Sequence, residues 1–263
     1  MQLILDEPGN AAREYVHAGI ALHNRTNGQP ITPPVVIVHD PNVNAISYTR
    51  PAELEGIDNL SEAGINEDLI ATLAGAPGVV SVSPWDAGGP IPPRTGHRGN
   101  VVAIDGTAIT VVGMFACTND AYIVATANVL ADDGLVQESS GIASVFDSGS
   151  ENNDETAATV PCLGGADAGL SEGVGENERI EHPGITGVAD LDPAIHAWRA
   201  DATAEIRISA AFDESELGAI PTRLPRTGGA ALGANWMLLL GLGGVVTLGS
   251  GWGVALVATR RYA

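Results

Sequence analysis

The sequence contains no lysine, and all 12 of its basic residues are arginine. They are outnumbered by 32 acidic residues, which gives a formal net charge of −20. Such a surface repels nucleic acid and anionic lipid and suits multivalent cations, so we expect no nucleic-acid partner. The lack of lysine also excludes a Walker-type phosphate loop, which requires one. Hydrophobic residues make up 44% of the chain, enough for a globular core.

Motifs of the common hydrolases are also missing or out of context. The six histidines form no His-Glu-x-x-His motif. One Gly-x-Ser-x-Gly string occurs at Gly169–Gly173, inside an acidic, glycine-rich stretch with no apolar strand before it. A nucleophilic serine of this type needs a strand–turn–helix setting. We therefore expect no enzymatic activity, and an extracellular enzyme with an unrecognised site is the weaker alternative.

Several short strands, many turns and little helix predict an all-β sandwich with a short helix. Residues 15–22 alternate with the period of a strand, with Val16, Ala18, Ile20 and Leu22 on one face. Further strands are predicted at residues 34–39, 100–104, 109–115, 121–127 and 204–210.

Helix and loop signals complete the predicted domain. Residues 60–73 contain a helix that Asn66 can cap. Residues 84–98, rich in proline and glycine, and the acidic residues 151–178 are predicted loops. The domain is expected to span residues 14–213, after a lead-in of residues 1–13.

The C-terminal residues carry a membrane signal. No charged residue occurs from Trp236 to Thr259. At about 1.5 Å per residue, a helix of that length exceeds the roughly 30 Å hydrocarbon core. Arg260 and Arg261 follow, which predicts a cytoplasmic tail at residues 260–263 and a domain outside the cell. Residues 214–235 form a linker to this transmembrane helix.

The linker contains Leu224–Gly228, with the sequence Leu-Pro-Arg-Thr-Gly. Followed by an apolar run and a basic tail, it resembles an LPXTG-type cell-wall sorting signal. That resemblance implies that a sortase-type transpeptidase cuts between Thr227 and Gly228 and joins the threonine to the envelope. A similar string at Pro93–Gly96 lacks the apolar run, so the pentapeptide alone is not informative. A plain membrane anchor is the alternative.

The N-terminus does not match an exported chain, which begins with a basic and then an apolar region. Met1–Leu5 is followed at once by Asp6 and Glu7, and the first basic residue is Arg13. We therefore expect the natural start of the protein to lie upstream of Met1.

Two acidic clusters could hold a hard cation. Asp120 directly precedes a predicted strand, and Asp147 and Glu151 flank Gly149, which permits a tight turn. Calcium is bound by several carboxylate and carbonyl oxygens on a bent loop. A solvated acidic loop is the alternative interpretation in so acidic a chain.

These clusters resemble a known family. Residues 118–122, Thr-Asn-Asp-Ala-Tyr, followed by residues 147–151, Asp-Ser-Gly-Ser-Glu, are similar to elements of the spondin domain of F-spondin, mindin and bacterial surface proteins. The similarity covers about residues 14–212. It implies an antiparallel β-sandwich with one Ca²⁺ held by Asp120, Asp147 and Glu151. Asp154 and Glu155 could supplement or replace Glu151.

The two cysteines, Cys117 and Cys162, could be buried free thiols or one disulfide. The expected extracellular location favours the disulfide, which would tie the loop after Glu151 beside the metal site. The resemblance and the location together imply a cell-surface protein that binds extracellular matrix, a glycan or another cell. A structural envelope protein without a specific ligand is the main alternative.

Overall fold

The computed structural model describes residues 14–47, 55–164, 175–176 and 178–217. All of them belong to the first of two compact units, residues 1–230. The lead-in, Gly169–Gly173, the sorting motif with Thr227 and Gly228, the apolar run 236–259 and the basic tail lie outside the described residues. Within the described ranges, no helix is long and apolar enough to cross a membrane.

The described residues are mostly β-structure with few, short helices. The strands are β1 (Tyr15–Asn24), β2 (Val35–His39), β3 (Val79–Pro84), β4 (Gly96–Ile104), β5 (Ala108–Met114), β6 (Ala121–Asn128), β7 (Ala131–Asp132), β8 (Leu135–Val136), β9 (Ser139–Ile142), β10 (Ser144–Asp147), β11 (Ile180–Glu181) and β12 (Ala204–Ala210). The helices are α1 (Ile57–Ala63), α2 (Glu67–Leu73), α3 (Pro193–His196) and α4 (Glu214–Leu217).

Two antiparallel sheets build the domain. The four-stranded sheet has the order β4-β1-β12-β9, and the six-stranded sheet has the order β11-β10-β6-β5-β2-β3. Strands β7 and β8 form a small separate ribbon. The all-β prediction is confirmed at this level.

A hydrophobic core lies between the two sheets. Strand β1 contributes Val16, Ala18, Ile20 and Leu22, each at most 3% exposed, as its alternation predicted. The six-stranded sheet contributes the inward residues of β2, β5, β6 and β10 to the same cluster. Burial of these faces against each other removes both apolar surfaces from water and stabilises the pair of sheets.

The outer face of the six-stranded sheet is covered by helices. Val35 and Ile37 of β2 point away from the central core and pack with Leu60 of α1 and Leu69 of α2. Strand β2 is therefore buried on both faces, which explains its continuous run of apolar residues.

The predicted helix was correct in place but incomplete. Helix α2 does begin directly after Asn66, but the Asn66 side chain makes no capping bond. Its Nδ2 instead donates to the Pro33 carbonyl at 2.9 Å. Helix α1 was not predicted; it ends at Gly64, which takes the left-handed conformation at φ 69°. Strand β4 begins at Gly96, inside a segment predicted to be loop.

The chain passes from one sheet to the other at Ala143, between β9 and β10. Gly141 of β9 lies so close to β6 that a Cβ atom there would sit 1.9 Å from the Thr126 carbonyl oxygen. We predict that Gly141→Ala forces the sheets apart and lowers the free energy of unfolding by about 1–3 kcal/mol. Urea denaturation measures the loss. The exposed neighbour provides the control, since Ser140→Ala should leave the midpoint unchanged; equal midpoints for both variants would contradict the close approach.

Candidate metal centre

Three acidic side chains converge at one end of the six-stranded sheet. Asp120, Asp147 and Glu176 each offer a carboxylate oxygen, and these oxygens all lie within 4.8 Å of one another. Two oxygens bound to one Ca²⁺ at about 2.4 Å are separated by at most roughly 5 Å. Each pair of these carboxylates is therefore close enough to bind one ion between them.

Strand pairing explains why the first two meet. Asp120 ends the turn between β5 and β6, and Asp147 is the last residue of β10. Strands β6 and β10 are antiparallel, with Asp147 opposite Ala121. The start of one strand thus lies beside the end of the other, and Asp120 and Asp147 are neighbours.

The Asp120 carboxylate is fully buried and only half satisfied. Its Oδ2 accepts hydrogen bonds from Ser148 Oγ at 3.0 Å, from the backbone N–H of Ser150 at 3.0 Å and from that of Glu151 at 3.1 Å. Its Oδ1 is buried and has no hydrogen-bond partner. A buried, unpaired carboxylate oxygen is costly, and a cation at this oxygen would remove the cost.

Asn153 links the other two carboxylates. Its Nδ2 donates to Asp147 Oδ2, and its backbone N–H donates to Glu176 Oε1 at 3.2 Å. The other oxygen of Asp147, Oδ1, accepts from the backbone N–H of Gly149 at 2.7 Å. The loop after β10 therefore wraps around the acidic group and supplies most of its donors.

Two glycines let a distant segment reach this loop. Gly149 adopts φ 73°, and a Cβ there would lie 2.4 Å from the Glu178 carbonyl oxygen. A Cβ on Gly175 would lie 2.3 Å from the Gly149 carbonyl oxygen. Side chains at either position would separate the two backbones, so the glycines are what brings Glu176 to Asp120.

Glu176 was not singled out from the sequence, whereas Glu151 was. The Glu151 side chain is 6% exposed, and its backbone N–H bonds Asp120, but its carboxylate is outside the group of three. The two suggested substitutes are engaged elsewhere. Asp154 accepts from Thr156 and Thr159, while Glu155 accepts from the backbone of residues 186–188.

Burial changes the protonation of the pair. Burial and then the charge of Asp147 raise the pKa of Asp120 to about 8. Burial likewise raises the pKa of Asp147. Two carboxylates this close and this buried cannot both ionise without a compensating positive charge, which a proton or a metal ion can supply.

The neighbouring loop is fixed by covalent and polar links. Cys117 and Cys162 form a disulfide with Cα atoms 5.0 Å apart, as predicted. The Cys162 N–H donates to the Ala116 carbonyl at 3.1 Å, and Asn119 Nδ2 donates to the Asn152 carbonyl at 2.9 Å. These links hold the segment after Glu151 against the turn that carries Asp120.

No protein-family model matches this chain, and no curated protein or solved structure is significantly similar to it. The resemblance to the spondin domain and to the sorting signal therefore rests on the sequence motifs alone.

The raised pKa of Asp120 makes stability depend on pH in the metal-stripped protein. The pKa of Asp120 rises on folding from its ordinary value of 3.8 to about 8. The folded state thus binds more protons in this range, so the contribution to stability is complete below pH 3.8 and is lost as the pH rises through about 8. We predict that Asp120→Asn reduces the fall in Tm between pH 5 and pH 8, measured by scanning calorimetry without metal. An identical fall in both proteins would contradict the buried pair.

Proposed function

We propose that this protein is a cell-surface module whose domain binds one Ca²⁺ through Asp120, Asp147 and Glu176. The unpartnered Oδ1 of Asp120, buried within reach of two other carboxylates, is the observation that supports this most strongly. Bound Ca²⁺ supplies the positive charge that the cluster needs, so it replaces the proton that otherwise neutralises the pair.

The donor set favours a hard cation. All three side chains offer oxygen, with neither histidine nor cysteine among them. Oxygen ligands suit Ca²⁺ and Mg²⁺, whereas Zn²⁺ is usually bound by nitrogen and sulfur. Ca²⁺ tolerates irregular geometry, but Mg²⁺ demands a near-octahedral shell. Ligands drawn from a strand end and two loops fit the more tolerant ion.

The role of the ion in this proposal is structural. It would join the β5–β6 turn at Asp120, the end of β10 at Asp147 and the segment around Glu176. The resemblance to the spondin domain supports it, because Asp120 and Asp147 occupy the matching motif positions and are neighbours in the fold. Glu151 would then act through its backbone N–H on Asp120 rather than through its carboxylate.

The location and role outside the metal site rest on sequence. The sorting signal at Leu224–Gly228, the apolar run and the basic tail support display on the extracellular face, anchored to membrane or cell wall. An anchored, non-enzymatic sandwich domain suits adhesion to extracellular matrix, a glycan or another cell. The disulfide between Cys117 and Cys162 is compatible with an oxidising exterior.

Calcium should stabilise the metal-stripped protein. At a free concentration 100 times its Kd, the ion adds about 2.7 kcal/mol, which raises Tm by several degrees. We predict that Asp120→Asn abolishes this rise and Glu176→Gln reduces it strongly, as measured by thermal melts with Ca²⁺, Mg²⁺ or chelator. Glu181→Gln is the matched control, because Glu181 is exposed and outside the group.

An unchanged Tm on adding Ca²⁺ to wild-type protein would contradict the calcium proposal. Glu151→Gln separates the two assignments of the third ligand. The sequence motif predicts that this variant loses the calcium response, while the geometry of the group predicts that it keeps it.

Surface anchoring has its own test. We predict that a sortase-type transpeptidase, given the full chain and an amine nucleophile, joins the Thr227 carbonyl to the amine and releases the fragment that begins at Gly228, both identified by mass spectrometry. Thr227→Ala should block the reaction, and Thr95→Ala, in the similar string without an apolar run, should not. Cleavage after Thr95, or none at all, would contradict the sorting signal.

A further inference from the structure

The outer face of the four-stranded sheet carries an elongated groove. It consists of two adjoining depressions of about 560 Å³ and 340 Å³, which share His23, Glu205 and Arg207. Helices α1 and α2 pack on the outer face of the other sheet, so the groove and this helical layer lie on different sheets.

Positive charge is concentrated along this groove. The described part of the chain holds six arginines, and four of them border the groove: Arg25, Arg94, Arg98 and Arg207. Two carboxylates accompany them, those of Glu138 and Glu205. A local excess of cations on a chain of net charge −20 marks the place where a negatively charged group is attracted.

Glu205 orients two of these arginines and leaves some of their N–H donors available. Arg207 Nε and Nη2 donate to the Glu205 carboxylate at 2.9 Å and 3.2 Å, and Arg25 Nη1 lies 3.5 Å from it. The side chains of Arg207 and Arg25 are still 61% and 44% exposed. Since a guanidinium has five N–H donors, each can bind a second acceptor from solution.

The guanidinium of Arg98 lies over an aromatic ring. The guanidinium carbon of Arg98 lies 5.2 Å from the centroid of the Phe212 ring. Asn100 holds the Phe212 backbone through two hydrogen bonds of 2.9 Å, one to its carbonyl and one from its N–H. The ring packs on Gly19, where a Cβ would approach it to 3.0 Å. The Phe212 ring is therefore held in place and offers an apolar surface next to the guanidinium of Arg98.

We propose that this groove binds an acidic saccharide, one whose sugar units carry carboxylate or sulfate groups. The exposed arginines pair with the anionic groups, and planar guanidinium–carboxylate pairing gives them direction. The C–H groups of a sugar ring contact Phe212, and Ser140 and Ser209, which share the outward face of Arg207, line the same groove. This inference deepens the proposed adhesive function and rests on it, because it gives the displayed domain a ligand class.

The same features disfavour the other anionic partners. A long polyanion such as nucleic acid meets the repulsion of a chain with net charge −20 and no lysine, whereas a short saccharide contacts only the groove. At physiological salt, charges act over about 8 Å, so a small ligand senses the local arginines more than the total charge. A protein partner would favour a broader apolar surface than one phenylalanine provides.

The test is a binding titration of the full chain with defined probes. The probes are a galacturonic acid tetramer, a sulfated glycosaminoglycan tetrasaccharide and a neutral galactose tetramer, followed by calorimetry. We expect an acidic probe to bind and the neutral one not to bind, with affinity falling as salt rises. Arg98→Gln and Arg207→Gln should each weaken binding about tenfold, the double variant should abolish it, and Phe212→Leu should weaken it.

Arg199→Gln is the matched control. Arg199 forms the same kind of two-bond pair with Asp201 two residues away, at 2.9 Å and 2.8 Å, but it does not line the groove. The affinity of the Arg199→Gln variant for the acidic probe should equal that of the wild-type protein. Equal losses for Arg199→Gln and Arg207→Gln would overturn the assignment of the groove.

The proposal would be overturned if neither acidic tetramer binds, or if the neutral tetramer binds equally well. It would also be overturned if a short DNA duplex or a glutamate peptide binds with higher affinity and displaces the saccharide from the groove. The calcium response keeps the two claims apart. The double arginine variant should lose saccharide binding and retain the calcium response. In the wild-type protein, absence of saccharide binding with an intact calcium response would overturn the groove proposal alone. Saccharide binding without any calcium response would be a failure of the metal site alone.

Discussion

Repulsion between two buried carboxylates, Asp120 and Asp147, is the constraint on which one end of this domain depends, and the exposed Glu176 adds a third negative charge beside them. Asp120, Asp147 and Glu176 are held within 4.8 Å of one another by elements that are far apart along the chain. The β6–β10 pairing and the loop after β10 hold Asp120 and Asp147 in place, so these two buried carboxylates stay close to each other. The positive charge has to come from a proton or from a cation, and burial together with the charge of Asp147 raises the pKa of Asp120 accordingly.

The surrounding structure is organised to hold this arrangement. The antiparallel pair β6–β10 fixes Asp120 beside Asp147, and the glycines at 149 and 175 permit the backbone contact that adds Glu176. The disulfide anchors the intervening loop from the other side. The strand pairing, the two glycines and the disulfide each act locally, and together they preorganise the oxygen ligands before an ion binds. Preorganisation reduces the ordering cost of binding.

Much of the fold could be predicted from the sequence, because the alternation of residues such as Val16, Ala18 and Ile20 directly reflects a face buried between two sheets. Asp120 and Asp147 could be predicted because each sits in a short local motif at a strand end. Glu176 could not be, because it reaches the site through a contact between glycines that are distant in sequence. Helix α1 was missed since Gly64 divides what the pattern presents as one segment.

The arginine groove could not be predicted from the sequence for a similar reason. Arg94 and Arg207 are separated by more than half the domain, and only the pairing of β1 with both β4 and β12 brings them to one face. The composition suggested no basic groove, since a net charge of −20 suggests a uniformly acidic surface. The metal centre and the groove lie on different sheets, so the first can secure the fold while the second contacts a ligand.

Anomalous diffraction from crystals grown with Ca²⁺, or soaked with a lanthanide in its place, tests the central claim most directly. The account predicts a single strong peak about 2.4 Å from Asp120 Oδ1, shared with the carboxylates of Asp147 and Glu176. A map with no peak between these three side chains, at an ion concentration well above millimolar, would contradict it.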